Sequence, residues 1–337
     1  YKDFPYCKVY DRLDITPYLR RGIKHMAVVV WYYGIGNFSY YPGSAGLWYA
    51  VSVAGKPIAV SGAETQSRLS RAYHSHAQKN ITYQLGFRFF YRADREDGWK
   101  NGALHGFSAS RTLDLPAPKT ERPLRKLSVL PRIPSLPVRR EGNRRLFDLG
   151  HEEVGYLTLS VRSAVPQTLH IAWGEHIADG WVRSRIGDRN FSVEVSVGAD
   201  ITEYTNHFRR LGARYLELTA ESDLEIEFLS LLPCPYPLEQ VAVSFGDEVT
   251  DRSYAVAVRT LELCMHDHYE DCPWREQAMY AMDSRNQMLC GYYAFREFTF
   301  PRACLWLMGQ DRREDGLLSI CTPENLGNAI PSFSLHY

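Results

Sequence analysis

The hydrophobic pattern of this chain changes once, near Asp247, and this change limits the secondary structure that the chain can form. Before Asp247, apolar and polar residues alternate, as in the segment 155–161, which is the pattern of a strand with one buried face. After it, Tyr254, Val258 and Leu261 recur at spacings of three or four residues, as on one face of a helix. The sequence therefore predicts β-structure followed by α-helices.

A proline-rich segment divides the predicted β-structure into two parts. Strand-like runs such as 28–33, separated by Gly, Pro and Asn turns, fill residues 1–112, and alternation resumes over 139–240. Between these parts, residues 113–138 contain six prolines among basic residues, and a sheet interior does not tolerate so many missing amide donors. We predict two β-sandwich, jelly-roll-like domains at 1–112 and 139–240, joined by an extended linker.

The helical part begins at about residue 241 and extends to residue 337. We expect the first helix to follow a capping position at Thr250 and Asp251, whose side chains can accept hydrogen bonds from free backbone amides. A second helix is predicted to start at Asp283 or Ser284. A third is predicted to start at Pro301, because proline suits a first helical turn.

The charge balance argues against polyanionic partners. The 337 residues include 39 basic and 39 acidic side chains, so the chain lacks the positive field that nucleic acid or an anionic membrane requires. It has seven cysteines without CxxC pairs and no run of 18 apolar residues, which argues against a disulfide framework and a membrane helix. We expect neutral partners and a cytoplasmic location, with the periplasm as the alternative. No pattern indicates an oligomeric state.

The aromatic content of 13% has two interpretations. Aromatic rings can stack on the C–H faces of sugars, and they can equally fill a β-sandwich core.

A short segment between the first two predicted helices has an unusual mixture of side chains. Residues 271–287 include three carboxylates, two arginines and a tryptophan. Pro273 prevents a continuous helix through this segment, so the carboxylates lie partly on a loop, where binding and catalytic residues concentrate. The alternative is a charged surface loop with weak ion pairs.

The string DCPWREQAMYAMD at 271–283 resembles the start of the catalytic domain of the bacterial α-L-rhamnosidases of glycoside hydrolase family 78. Two upstream segments, 147–155 and 174–183, support this resemblance, and a third, 208–218, resembles the end of the β-domain that precedes the catalytic domain in this family. The resemblance covers most of the chain. It implies that residues 241–337 are the first helices of an (α/α)6 toroid, the six-hairpin glycosidase fold.

The resemblance also implies an activity, the inverting hydrolysis of terminal α-L-rhamnose from glycosides or polysaccharides. It makes Glu276 the general acid that protonates the leaving oxygen. Asp271 and Asp283 would hold sugar hydroxyls and stabilise the oxocarbenium-like transition state. Their negative charge would also help Glu276 to keep its proton, whereas Arg275 would oppose this unless it points at the substrate or at Asp271.

Three further residues of this segment are predicted to bind substrate. Arg275 would contact sugar hydroxyls, and Trp274 and Tyr280 would form the pocket wall against the deoxy-sugar methyl group. For the two aromatic residues, packing between helices is an equally good interpretation.

The chain departs from the family pattern in two ways. Many relatives have two adjacent acids after DCPQR, whereas this chain has Glu276 alone. The family also has a catalytic base on a glutamate far downstream. We therefore expect the base to lie beyond Tyr337 and the 337-residue polypeptide, if it ends there, to show no rhamnosidase turnover.

Two other functions remain open from the sequence. The chain could be a noncatalytic carbohydrate-binding protein, or its toroid could act on another sugar, because a fold alone does not determine a substrate. We predict no cofactor and no metal. His266 and His268 have the residue types of a metal site, but on a helix they would face different sides.

Overall fold

The structure is a computed structural model, and it describes residues 4–22, 25–74, 80–88, 90–114, 120–311 and 313–337. The predicted domain at 1–112 and the predicted linker at 113–138 each include residues outside this described set, among them Pro116 and Pro118 of the linker.

Short strands characterise the described residues of the first 121 positions. They are β1 (Val9–Tyr10), β2 (Ala50–Val53), β3 (Lys56–Val60), β4 (Gln66–Ser67), β5 (Tyr73–His74), β6 (Asn80–Thr82), β7 (Gly86–Phe87), β8 (Phe90–Arg92), β9 (Ser108–Ala109) and β10 (Thr120–Glu121). Most of them form two-stranded pairs. Three single-turn 3-10 helices lie at Thr16–Tyr18, Ala93–Arg95 and Trp99–Asn101.

The following strands are longer and form the main sheet with its associated hairpins. They are β11 (Leu136–Glu141), β12 (Arg144–Ser163), β13 (Gln167–Gly174), β14 (Ile177–Ala178), β15 (Trp181–Val182), β16 (Arg185–Ile186), β17 (Arg189–Asn190), β18 (Ser192–Val197), β19 (Asp200–Thr219) and β20 (Leu224–Pro233). The alternation predicted from the sequence is visible in β18, where Val193, Val195 and Val197 are buried and the residues between them are partly exposed. One apolar face of the sheet is thus closed off from water.

Strands from both predicted β-domains share this sheet. Its order is β11-β12-β19-β13-β18-β8-β5, with β20 also pairing with β12. The junction is the parallel pair of β18 and β8, in which Val195 lies opposite Tyr91. The first β-region therefore extends the sheet of the second, and the boundary between two separate sandwiches stays a prediction.

The described part of the proline-rich linker is extended, and it docks along β20. The amides of Ser128, Leu130 and Ile133 donate to carbonyls of Pro235, Pro233 and Leu231, at 3.0, 2.9 and 3.2 Å. The residues between the prolines thus supply the backbone donors that the prolines lack.

The helices are α1 (Glu248–Glu262), α2 (Ala281–Ala294), α3 (Thr299–Met308) and the short α4 (Pro331–Ser334). Each of the first three begins a few residues before the predicted start. The N-cap of α1 is Asp247, whose side chain accepts from the Thr250 amide at 2.8 Å, so Thr250 lies in the first turn. Pro301 likewise lies in the first turn of α3.

The helices bury a second apolar cluster, which includes Met265, Tyr269, Phe300 and Leu307. Among the residues that the structure describes, no helix combines the length and the apolar character that crossing a membrane would need.

Candidate active site

The acidic loop, residues 271–280, connects the end of the first helical region to α2 and rests on the main sheet. Trp274 fixes this position: only 3% of its surface is exposed, and it belongs to the apolar core of the sheet. Its ring lies 4.5 Å from the ring of Phe191 and 5.4 Å from that of His176. Trp274 therefore anchors the loop in the β-core, which differs from both the pocket wall and the packing between helices considered from the sequence.

A close backbone approach holds the same loop on β19. A Cβ atom built at Gly212 would lie 2.2 Å from the carbonyl oxygen of Pro273, closer than any real side chain allows. Glycine at position 212 lets the strand and the loop touch. A third contact is at Gly174, where an added Cβ would lie 3.4 Å from the Trp274 ring.

Glu276 lies at the outer edge of this loop with 16% of its side chain exposed. Its Oε2 accepts a hydrogen bond of 2.7 Å from the Tyr280 hydroxyl, and its Oε1 lies 3.8 Å from Nη2 of Arg189 on β17. Burial, followed by the hydrogen bond to Glu276, raises the pKa of Tyr280, so this phenol stays protonated and donates. Glu276 thus accepts a hydrogen bond from a residue of its own loop and lies near a cation on the β16–β17 hairpin.

The turn after Glu276 is conformationally unusual. Gln277 has a φ of 51°, a left-handed conformation that costs energy for a residue with a Cβ. Its side-chain amide donates to the Pro273 carbonyl at 2.8 Å, which offsets part of this cost. The backbone therefore changes direction sharply immediately after the predicted acid.

Asp271 closes the base of the loop. Its amide donates to the Ala278 carbonyl at 3.0 Å, and its Oδ1 accepts from the Ala278 amide at 3.0 Å. Burial raises the pKa of Asp271, and the charge of Glu276 adds to this increase. The two carboxylates are therefore electrostatic neighbours, and their predicted catalytic roles stay predictions.

Asp283 and Arg275 lie at the margins of this arrangement. Asp283 is half-buried in the first turn of α2, and Arg275 is exposed. The charge of Arg275 acts on Glu175 of the sheet region: burial raises the pKa of Glu175, and Arg275 partly opposes this. The predicted contact of Arg275 with substrate or with Asp271 stays a prediction.

A buried ion pair supports the chain immediately before the acidic loop. Nη1 of Arg210, on β19, lies 2.7 Å from Oε1 of Glu270, and His266 Nδ1 hydrogen-bonds the other oxygen of Glu270 at 3.2 Å. Burial alone would raise the pKa of Glu270, but Arg210 and His266 outweigh it and lower the pKa to about 2. This segment was predicted to be helical, yet α1 ends at Glu262, and His266 lies in a turn where its amide bonds the His268 carbonyl.

Sequence reasoning assigned no role to Arg189 or to Glu152. Glu152 lies in an irregular stretch of β12, where pairing with β19 is interrupted between Asp148 and Glu153, and bulges of this kind redirect side chains. Burial, with repulsion from Glu175 and Glu153, raises the pKa of Glu152 to about 8. Alternating polar and apolar residues do not reveal such a bulge, so no local pattern would have identified this residue.

In the part of the chain that the structure describes, no group of three or more His, Cys, Asp or Glu side chains is arranged to hold a metal ion. The site is built from carboxylates, a phenol and guanidinium groups, which are suited to proton transfer and to hydrogen bonding of hydroxyls.

Comparison with known families finds a match in the helical part of the chain. Residues 242–334 match the family described as bacterial alpha-L-rhamnosidase 6 hairpin glycosidase domain. These residues, which we call the rhamnosidase-type domain, are similar to part of a six-hairpin glycosidase domain. The rhamnosidase-type domain includes the whole acidic loop and the helices α1 to α4. A comparison with curated proteins found no match.

Solved structures of rhamnosidases resemble the chain over a longer stretch. The family 78 rhamnosidase of Bacillus sp. GL1 is 24% identical with a TM-score of 0.54, over 60% of this chain and 22% of that protein. The rhamnosidase of Klebsiella oxytoca with rhamnose bound is 21% identical with a TM-score of 0.50, over 79% and 51%. The α-L-rhamnosidase of Streptomyces avermitilis complexed with L-rhamnose is 17% identical with a TM-score of 0.59, over 70% and 24%.

The chain thus spans between about a fifth and a half of the length of these solved relatives. Their fold likeness, together with the rhamnosidase-type domain, confirms the predicted fold class of β-domains followed by the beginning of an (α/α)6 toroid.

Proposed function

We propose that the protein containing this chain is an inverting glycoside hydrolase that removes terminal α-L-rhamnose from glycosides or polysaccharides. The observation that carries the proposal is the acidic loop of the rhamnosidase-type domain. In this loop Glu276 is held by Tyr280 at 2.7 Å and stands beside a second, partly desolvated carboxyl, Asp271. The rhamnose bound in the Klebsiella and Streptomyces rhamnosidases supports the choice of sugar.

In the proposed reaction, the carboxyl proton of Glu276 passes to the glycosidic oxygen while the bond from this oxygen to the anomeric carbon breaks. The electron pair of the bond leaves with the aglycone, and Glu276 becomes a carboxylate. A water molecule adds to the anomeric carbon from the opposite face and gives its proton to a base. We assign this base to a carboxylate across the toroid from Glu276.

The other residues of the loop have supporting roles in this proposal. Asp271 and Asp283 accept hydrogen bonds from sugar hydroxyls, and their charge favours the positive transition state. Tyr280 donates to Glu276 and holds its carboxyl plane in place. Arg275 is exposed and can contact the sugar. Trp274 acts indirectly, by anchoring the loop to the sheet.

The test is Glu276→Gln in the complete protein, assayed with a rhamnoside that has a poor leaving group and with one that has a good leaving group. General acid catalysis contributes roughly 10²- to 10⁴-fold, so kcat should fall by about this factor on the poor substrate and much less on the good one. Glu203→Gln, an exposed glutamate on β19, is the matched control. Equal activity of Glu276→Gln and wild type on the poor substrate would exclude Glu276 as the acid.

The sugar is tested separately, with a panel of aryl glycosides. We expect hydrolysis of the α-L-rhamnoside and the appearance of the β anomer of rhamnose as the first product by NMR. Faster hydrolysis of a different glycoside would mean that the toroid acts on another sugar. Sugar binding without any hydrolysis would favour the noncatalytic alternative.

A further inference from the structure

We propose that Arg189, on the separate β16–β17 hairpin, is a positioning residue for Glu276 and favours its ionised form as the proton leaves. This inference rests on the proposed function, because it gives a role to Glu276 in proton transfer. It assigns part of the acid's environment to the β-domain, outside the rhamnosidase-type domain.

The contact itself has a geometry that suits a charge effect. Nη2 of Arg189 lies 3.8 Å from Oε1 of Glu276, and the two side chains are 29% and 16% exposed. This distance is too long for a hydrogen bond, so the guanidinium acts through its charge and does not occupy the lone pairs of Oε1. Partial burial of both groups reduces screening by water compared with a surface pair.

Packing between two chain segments fixes this contact. Phe191 follows Arg189 by two positions, and Trp274 precedes Glu276 by two. Their buried rings lie 4.5 Å apart. The Phe191 amide donates to the Ser184 carbonyl at 2.8 Å, and the Trp173 amide donates to the Phe191 carbonyl at 3.1 Å. The ring pair therefore sets Arg189 opposite Glu276, and backbone hydrogen bonds prevent the hairpin from sliding.

Other charged or titratable groups also lie near Glu276, and some oppose its negative charge while others favour it. Asp271 is a like charge, and its pKa is raised by burial and by Glu276. Tyr280 donates to Oε2, and the Cys272 thiol accepts from the Glu276 amide, while burial raises its pKa to about 12 and keeps it neutral. Arg275 is exposed, and its charge acts on Glu175. Arg189 is therefore the cation that the described structure sets against the Glu276 carboxylate.

The consequence for the reaction concerns the moment when Glu276 loses its proton. Before transfer, the carboxyl is neutral and interacts weakly with Arg189. After transfer, it carries a negative charge 3.8 Å from a positive one, and this attraction stabilises the product side of the proton transfer. The same attraction orients Oε1, while Tyr280 orients Oε2.

The first experiment measures the pH–rate profile of kcat/KM in the complete protein for wild type, Arg189→Gln, Arg189→Lys and the control Arg185→Gln, an exposed arginine on the same hairpin. Removing a nearby cation favours the protonated acid. The alkaline limb should therefore move to higher pH in Arg189→Gln. It should stay near the wild-type position in Arg189→Lys and in Arg185→Gln. A lower rate with an unmoved alkaline limb would reduce Arg189 to a structural residue and overturn the proposal.

The second experiment does not depend on activity. A double-mutant cycle compares the thermal unfolding midpoints of wild type, Arg189→Gln, Glu276→Gln and the double variant at pH 9, where the Glu276 carboxyl is ionised. Arg189→Gln should lower the midpoint when Glu276 is present and have less effect when residue 276 is Gln. Additive shifts would show that the two side chains do not interact and would overturn the proposal. If the cycle shows coupling but the wild-type protein has no rhamnosidase activity, the interaction between Arg189 and Glu276 stands and the proposed function is wrong.

Discussion

The helical segment rests on the sheet through two patches that both bury carboxyl groups. One patch lowers the pKa of its buried glutamate, and the other raises it. The first, which we call the paired patch, consists of Arg210, His266 and Glu270. There Glu270 has a cation 2.7 Å away, and its pKa falls to about 2. The second, the unpaired patch, consists of Glu152 and Glu175, and the pKa of Glu152 rises to about 8.

The difference between the patches shows that burial alone does not determine whether a carboxyl group is charged. A nearby cation can outweigh the loss of solvation. Both glutamates lose solvation, which favours the neutral acid. Arg210 outweighs this loss for Glu270. Arg259 could do the same for Glu152, but its guanidinium is engaged by Glu153 at 2.8 Å, and Oε1 of Glu152 is buried without a hydrogen-bond partner. The interruption in β12 thus leaves one buried acid uncompensated beside the acidic loop.

The largest expected effect is on the paired patch. Arg210→Met leaves Glu270 buried without its cation, so we expect a loss of about 3 to 5 kcal/mol in the free energy of unfolding. Urea denaturation at neutral pH measures it. The double variant Arg210→Met with Glu270→Leu removes both charges and should recover most of the loss. A double variant as unstable as the single one would mean that the loss comes from packing or from Asp267, the second carboxylate beside Arg210 at 3.7 Å, and not from Glu270.

An intermediate effect is expected where the sheet touches the acidic loop. In Gly212→Ala the new Cβ would meet the Pro273 carbonyl at 2.2 Å, and relief of this overlap should cost about 1 to 3 kcal/mol. Gly198→Ala is the matched control, since a Cβ there meets nothing within 4 Å. Equal stabilities of the two variants by urea denaturation would show that the loop moves away from β19 without cost.

The smallest effect is expected at the unpaired patch and depends on pH. The pKa of Glu152 is higher in the folded state, about 8, than the ordinary 4.5. Its stabilising contribution is therefore present below pH 4.5 and is lost as the pH rises towards 8. The full shift would correspond to roughly 5 kcal/mol, and the partial exposure of Glu152 to water reduces this penalty. Glu152→Gln should therefore match wild type near pH 4.5 and be more stable at pH 9, by about 1 to 2 kcal/mol.

The measurement for Glu152 is denaturation of wild type and Glu152→Gln at pH 5, 7 and 9. Glu203→Gln, exposed on the same sheet, should show no such dependence. A difference that stays constant with pH would mean that Glu152 is ionised in the folded protein, and the contrast between the two patches would then disappear.

The sequence predicted the features that depend on near neighbours along the chain. The change of periodicity at Asp247 indicated β-structure followed by helices, and Asp271 and Glu276 fall on one proline-broken loop because only a few residues separate them. Helix starts were less accurate. The sequence predicts a cap of α1 at Thr250 and Asp251, but Asp247 is the N-cap, and α2 begins at Ala281 without any side-chain cap.

Tertiary structure alone decided which side chains surround the acid. Trp274 was predicted to face a sugar or a helix, and it packs in the β-core because Phe191 and the glycines at 174 and 212 provide space there. Arg189 and Glu152 are distant in sequence and lie in a hairpin and an irregular strand, where no local pattern indicates direction. The composition of the acidic loop is local information, which the sequence contains. The position of its partners follows from how the sheet and the helices pack, and contacts between residues far apart in the chain determine this packing.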